Sequence, residues 1–165
     1  IFKKDMILCA RNRIGHFQGV LAIINRFLVN INAKHIYFGE KDYQQAFLIK
    51  KYLQNKFSTK IITCKTIRNN KRLALSSRNN LLSKKQLKNS EKISKLLFEL
   101  RNKILKKFND IKLLNFYRSK INKLCSNIEY FEIRNSKNLS TKISKNNFRI
   151  FIAYKQDEVR LIDNL

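Results

Sequence analysis

The stretch that restricts this chain most is Phe38-Gly39-Glu40-Lys41-Asp42-Tyr43-Gln44-Gln45. Before it, His35-Ile36-Tyr37-Phe38 is aromatic and β-branched and reads as a short buried strand ending at Gly39. After it, Ala46, Phe47, Ile49, Lys50 and Leu53 carry a helical pattern. A strand that breaks on glycine and enters a helix is the place where open α/β sheets bind phosphate. Free backbone N–H groups and the positive end of the helix dipole point the same way there.

The flanking segments extend that α/β reading. Met6-Ile7-Leu8-Cys9 could be the end of a strand. Gly15-His16-Phe17 opens a helix whose Phe17, Val20, Leu21, Ile24, Phe27 and Leu28 share one face. Strand 34–38, helix 42–55 and a strand over Lys60–Cys64 follow, which suits two parallel strands joined by a crossover. Residues 65–82 read as a polar, basic loop. Ser83-Lys84-Lys85-Gln86 has the form of a capping box. A long helix to about residue 108 should follow, with Ile93, Leu96, Leu97, Leu100 and Ile104 inward. A second helix over about 111–125 turns Leu113, Leu114, Tyr117, Ile121 and Leu124 one way. Strands are expected at Ile128–Ile133, Phe148–Tyr154 and Val159–Ile162, with a turn at 155–158 and an Asn/Ser/Lys-rich loop over 135–147. The pattern changes near residue 80 from α/β to helices followed by antiparallel strands, so two domains, 1–80 and 81–165, are expected.

Composition enters through charge. A net +25 brings nucleic acid to mind. The charge is mostly lysine, spread along a chain rich in Asn and Ile with no proline or tryptophan, which is what an AT-biased genome writes. Cys9, Cys64 and Cys125 lie far apart with no metal-ligand spacing, so reduced, mostly buried thiols in a cytosolic protein are expected. No apolar run is long enough to cross a bilayer, and no signal peptide is expected. The start at Ile1, directly before motif-dense sequence, suggests a piece of a longer protein.

Taken singly, the polar motifs leave alternatives open. Lys41 and Asp42 suit a phosphate and a ribose hydroxyl or magnesium ion, and equally a solvated helix start. Ser76-Ser77-Arg78 can wrap phosphate oxygens with two hydroxyls and a bidentate guanidinium, or can be a polar loop ending in a cap. His16 suits a ligand contact or a structural role. Gln44 and Gln45 suit a polar substrate or a solvated face. No Cys/His/Asp cluster marks a metal site, and no Ser-His-Asp order marks a hydrolase.

Together the motifs resemble a known family. Gly15-His16-Phe17-x-Gly19-Val20, then the Phe38–Gln45 block, then Leu73-Ala74-Leu75-Ser76-Ser77-Arg78-Asn79, and last Arg160-Leu161-Ile162-Asp163-Asn164, resemble the pantoate–β-alanine ligases in order and spacing. The resemblance spans nearly the whole chain and matches that family's second half. It implies the second half of a Rossmann-like nucleotidyltransferase domain, 1–80, followed by a small α+β lid domain, 81–165. It implies activation of pantoate by ATP with Mg2+ as an acyl adenylate, then attack by β-alanine, in a cytoplasmic homodimer. By motif, Gly39, Glu40, Lys41, Asp42, Ile67, Leu75, Ser76, Ser77 and Arg78 would line the ATP site. Lys41, Ser76, Ser77 and Arg78 would carry the catalytic charge stabilisation. Gln45, His16 and Arg13 would face the substrates.

The chain departs from the family at Ile14, where proline is usual, at Asn69, where an acid is usual, and at Lys71-Arg72, where Asp-Gly is usual. Arginine resists the positive φ that glycine allows. The family's first half, with its paired-histidine phosphate motif and a pantoate-binding glutamine, has no counterpart in these residues, so this piece is expected to be inactive alone. The readings ranked behind are a basic nucleic-acid-binding module and a degenerate gene remnant.

Overall fold

The computed structural model describes residues 1–107 and 111–165. The chain forms two compact units, Ile1–Thr66 and Ile67–Leu165, each with its own core.

The first unit runs through a 3-10 turn at Lys3–Asp5, then α1 (Cys9–Asn12), α2 (His16–Asn30) and β1 (His35–Gly39). A second 3-10 turn, Glu40–Asp42, leads into α3 (Tyr43–Leu53), and β2 (Lys60–Cys64) closes the unit. β1 and β2 pair in parallel, from His35 beside Lys60 to Gly39 beside Cys64. Leu28, Ile49, Leu53 and Ile61 form the core, with Val20, Leu21, Ile24, Ile36, Phe38, Tyr52 and Phe57 packed around it. Gly15 begins α2 at φ +79, a left-handed position that glycine occupies without a Cβ clash.

Four expectations change here. Gly39 does not break β1: at φ −70 and ψ 132 it is its last extended residue, and the chain turns one residue later. β1 is half-buried rather than buried, with Tyr37 62% exposed, because its side chains alternate between a covered and an open face. Phe27 lies outside the apolar stripe of α2 and is 51% exposed. Met6–Cys9 is no strand. Leu8 is fully buried at φ 49 and ψ −125, and this kink redirects the chain into α1.

The second unit opens with a hairpin over 67–75. Arg68 bridges Ala74, and the Leu75 N–H donates to the Ile67 carbonyl at 2.9 Å. A 3-10 turn at Ser77–Leu81 precedes α4 (Lys84–Lys106) and α5 (Ile111–Asn122). The antiparallel strands β3 (Asn127–Arg134), β4 (Arg149–Gln156) and β5 (Val159–Asn164) lie side by side in that order. The Ser83 side chain accepts from Gln86 N while the Gln86 side chain accepts from Ser83 N, so α4 starts on the expected capping box. Ile93, Leu97, Leu100 and Ile104 of α4 pack with Tyr117 and Ile121 of α5 on Phe131, Ile150, Ile152, Tyr154 and Leu161 of the sheet. Helices on one face of an antiparallel sheet make this unit α+β. The expected end of the long helix, at about residue 108, lies outside the described residues.

The units divide at Thr66/Ile67 rather than near residue 80. Residues 67–80 belong to the second unit because their hydrogen bonds go there: Arg68 pairs with Asp163, and Asn69 and Lys71 reach Glu91. The three cysteines are free thiols. Cys9 is buried and Cys125 half-buried, but Cys64, at the end of β2, is exposed.

Candidate nucleotide and substrate site

In the first unit the expected residues fall on two turns. Arg13 and His16 flank the left-handed Gly15, and Arg13 Nη2 donates to His16 Nδ1 at 3.2 Å. A guanidinium only donates, so this contact needs the His16 tautomer that leaves Nδ1 as the acceptor. Gly39, Glu40, Lys41 and Asp42 form the bend between β1 and α3, with Asp42 at the position preceding the first helical residue. The initial amides of α3 and Lys41 bring positive charge to this bend, and Glu40 and Asp42 bring negative charge.

The two glutamines divide by role. Gln44 is buried, and its Nε2 donates to the Ile7 carbonyl at 2.7 Å, which anchors α3 to the segment before α1. Its Oε1 is buried without a hydrogen-bond partner. Gln45, the expected substrate contact, is half-buried on the adjoining face.

A second tie supports the same helix. The Asp5 carboxylate accepts from Lys51 Nζ and from the Tyr52 hydroxyl, each at 2.5 Å, and that hydroxyl accepts from Phe2 N at 2.9 Å. Burial pushes the Asp5 carboxyl upward, but the two hydrogen bonds and the Lys51 charge outweigh it and hold the group below its ordinary value. The same burial and the hydrogen bond to Asp5 raise Tyr52. Nothing local in the sequence marks this network, since its partners are 46 and 47 residues apart.

In the second unit, Leu75, Ser76, Ser77 and Arg78 leave the hairpin in a capped turn. Ser76 Oγ accepts from Arg78 N at 3.3 Å, the Asn79 amide donates to the Ser76 carbonyl at 3.0 Å, and Asn79 Nδ2 donates to the Ala74 carbonyl at 3.1 Å. The cap reading of this loop holds: the cap fixes the backbone, and Ser77 and Arg78 are exposed. Arg78 Nη1 reaches the Arg160 carbonyl at 3.5 Å. Ile67 and Leu75, exposed at 68% and 51%, stand opposite each other at the mouth of the hairpin.

The hairpin also shows what the unusual Asn69 and Arg72 do. Asn69 Oδ1 accepts from the amides of Lys71 and Leu73, and its Nδ2 donates to Glu91. Arg72 adopts φ +72, a left-handed conformation that glycine takes more readily than arginine, and its guanidinium lies 4.7 Å from the Phe98 ring centre. The backbone thus keeps the bend despite the arginine. Among the described residues, no group of three or more His, Cys, Asp or Glu is placed to hold a metal ion.

Comparison with known proteins gives one consistent answer. The family model described as pantoate-beta-alanine ligase matches residues 2–165. Pantothenate synthetase of Flavobacterium psychrophilum is 37% identical over 164 residues, covering 94% of this chain and 56% of that protein. The enzyme of that name from Francisella tularensis subsp. novicida is 36% identical, covering 96% and 53%. The crystal structure of pantothenate synthetase from Thermus thermophilus superposes with a TM-score of 0.88 at 28% identity, covering 98% of this chain and 59% of that one. That of the Francisella tularensis pantoate-beta-alanine ligase, complexed with beta-gamma ATP and beta-alanine, gives 0.78 at 32% identity, covering 100% and 56%. The chain spans about half the length of the curated relatives it matches. With the family matched from residue 2 to residue 165, this chain belongs to the pantoate-beta-alanine ligase family.

Proposed function

We propose that this chain supplies the second half of an ATP-dependent ligase that joins pantoate and β-alanine into pantothenate. The observation that carries the reading is the family match over residues 2–165.

In the first step a pantoate carboxylate oxygen bonds to the α-phosphorus of ATP, the bond to the bridging oxygen breaks, and pyrophosphate leaves. In the second, the β-alanine amine bonds to the acyl carbon, AMP departs with the former carboxylate oxygen, and the amine loses a proton. Charge builds on groups that are already anionic, so positioning and cationic stabilisation do the catalytic work. Lys41 and Arg78 supply positive charge, and the Ser76 and Ser77 hydroxyls supply donors. Gly39, Glu40 and Asp42 of the first unit, and the Ile67 backbone and Leu75 of the second, are each given a part in nucleotide binding. Gln45 hydrogen-bonds pantoate, and Arg13 and His16 serve the carboxylate-bearing substrates. Mg2+ would accompany the nucleotide and neutralise charge on its phosphates, with the Asp42 carboxylate as the candidate protein ligand. A homodimer and a cytoplasmic location complete the reading. Among the described residues no helix is long and apolar enough to cross a membrane.

The test is pyrophosphate release that requires both ATP and pantoate, from a protein of family length containing this chain. Release is expected there and not from these 165 residues alone. Lys41→Ala in the active protein should cost roughly a hundredfold in rate, as loss of one transition-state donor does. An active protein indifferent to Lys41→Ala would remove the role given to that lysine, and no release at family length would sink the function.

A further inference from the structure

We propose that Asp163 is a positioning residue for the Ser76-Ser77-Arg78 loop, acting through Arg68; the proposal rests on the nucleotide role given to that loop above. It gives the Arg160-Leu161-Ile162-Asp163-Asn164 segment a task that the substrate contacts leave unassigned.

The geometry is a single guanidinium joined to three places. Arg68 Nη1 and Nη2 donate to the two carboxylate oxygens of Asp163 at 2.7 and 2.8 Å, a bidentate pair. Nη2 also donates to the Asn164 carbonyl at 3.2 Å, and Nη1 to the carbonyl of the left-handed Arg72 at 2.9 Å. Arg68 lies directly across the hairpin from Ala74. Ala74 in turn accepts the Asn79 side chain that closes the serine turn. From β5 to the loop the chain of contacts is therefore Asp163, Arg68, the hairpin, Ala74 and Asn79. Arg78 meets β5 a second time at the Arg160 carbonyl. Arg160 is itself held by Glu129 at 2.9 Å.

Burial separates this pair from an ordinary surface salt bridge. On β5, Leu161 and Asp163 fall on the same side by strand alternation, and both are 5% exposed. A carboxylate thus occupies a position where the pattern would place an apolar side chain. Buried ion pairs add little net stability compared with apolar packing of the same volume. What this one adds is direction, since a bidentate pair accepts one orientation of the hairpin relative to the sheet.

The experiment has two arms. Hydrogen exchange of amides 73–79 is measured in this chain for wild type, Asp163→Asn and Arg68→Lys. Steady-state constants for ATP and pantoate are measured in the family-length protein for the same variants and Asp163→Glu. Exchange in the loop should quicken about tenfold or more in Asp163→Asn, with the amides of α4 around Leu97 and Leu100 unchanged. kcat/KM for ATP should fall about tenfold or more, as displacement of a catalytic loop does. The pantoate KM should stay put, and Asp163→Glu should recover part of the loss. Unchanged loop exchange, or an ATP kcat/KM equal to wild type, overturns the proposal. Should Asp163→Asn fail to fold, Arg68→Lys, which keeps the charge and loses the fork, decides on the same readouts. If the wild-type protein releases no pyrophosphate, the ligase reading fails, and the exchange arm still shows whether Asp163 holds the loop.

Discussion

Replacing Arg72 separates two opposed effects at one position. A residue with a Cβ held at φ +72 carries strain of roughly 1–2 kcal/mol. The same residue gains about 0.5–1 kcal/mol from its guanidinium 4.7 Å from the Phe98 ring centre, an exposed-site cation–π contact. Arg72→Ala keeps the strain and loses the contact, so it should destabilise by about 0.5–1 kcal/mol. Arg72→Gly loses the contact and releases the strain, against an added entropy cost of roughly 0.5–1 kcal/mol for ordering glycine. It should come out near wild type and about 0.5–1 kcal/mol above the alanine variant. In urea, a slope of about 1–3 kcal/mol/M turns that gap into a midpoint difference of roughly 0.2–1 M. The assay is urea unfolding of the three proteins by circular dichroism, compared at equal slope. If Arg72→Ala proves as stable as Arg72→Gly, the left-handed strain is not real and the reasoning fails.

Other expectations follow from the networks described. Asp5 has its carboxyl held below its ordinary value, so its stabilising contribution is present above the unfolded-state pKa and is lost as pH falls through the lower folded value. Asp5→Asn should destabilise the first unit at pH 7 by about 1–3 kcal/mol, with the difference from wild type shrinking below about pH 4; denaturant midpoints at pH 7 and pH 3 check both signs. Ser83→Ala removes half of the capping box of α4 and should cost about 1 kcal/mol, seen as a lower urea midpoint with an unchanged slope.

Local signals carried the elements well. Ser83 and Gln86 announced the start of α4, and the spacing of Ile93, Leu97, Leu100 and Ile104 announced its buried face. Each is a short-range pattern, set by a cap or a period of 3.6. What escaped is long-range or depends on the backbone. The Arg68–Asp163 pair spans 95 residues, and it is this pair that draws the hairpin into the second unit and shifts the division of the chain to Thr66/Ile67. Leu8 at φ 49 belies an apolar run that looks like a strand, because side-chain type says nothing about a kink imposed by packing. Phe27 looked inward because its spacing from Ile24 and Leu28 permits it, yet the stripe through Leu21, Ile24 and Leu28 already covers the side facing the core. For the candidate site, the motifs located the turns, while the geometry that shapes them, such as the Ser76 cap and the Asn69 turn, became visible only in three dimensions.

The far end of β5 has a consequence for genetics. Leu165 exchanges two backbone hydrogen bonds with Ile150 at 2.9 and 3.1 Å, Asn164 accepts from Arg149, and Asp163 holds Arg68. Here, loss of the chain from Asp163 onward would strip Arg68 and Arg149 of these partners and free the hairpin that carries the serine loop. A mutation that removes Asp163 would therefore loosen the hairpin without altering any residue of the Ser76-Ser77-Arg78 turn.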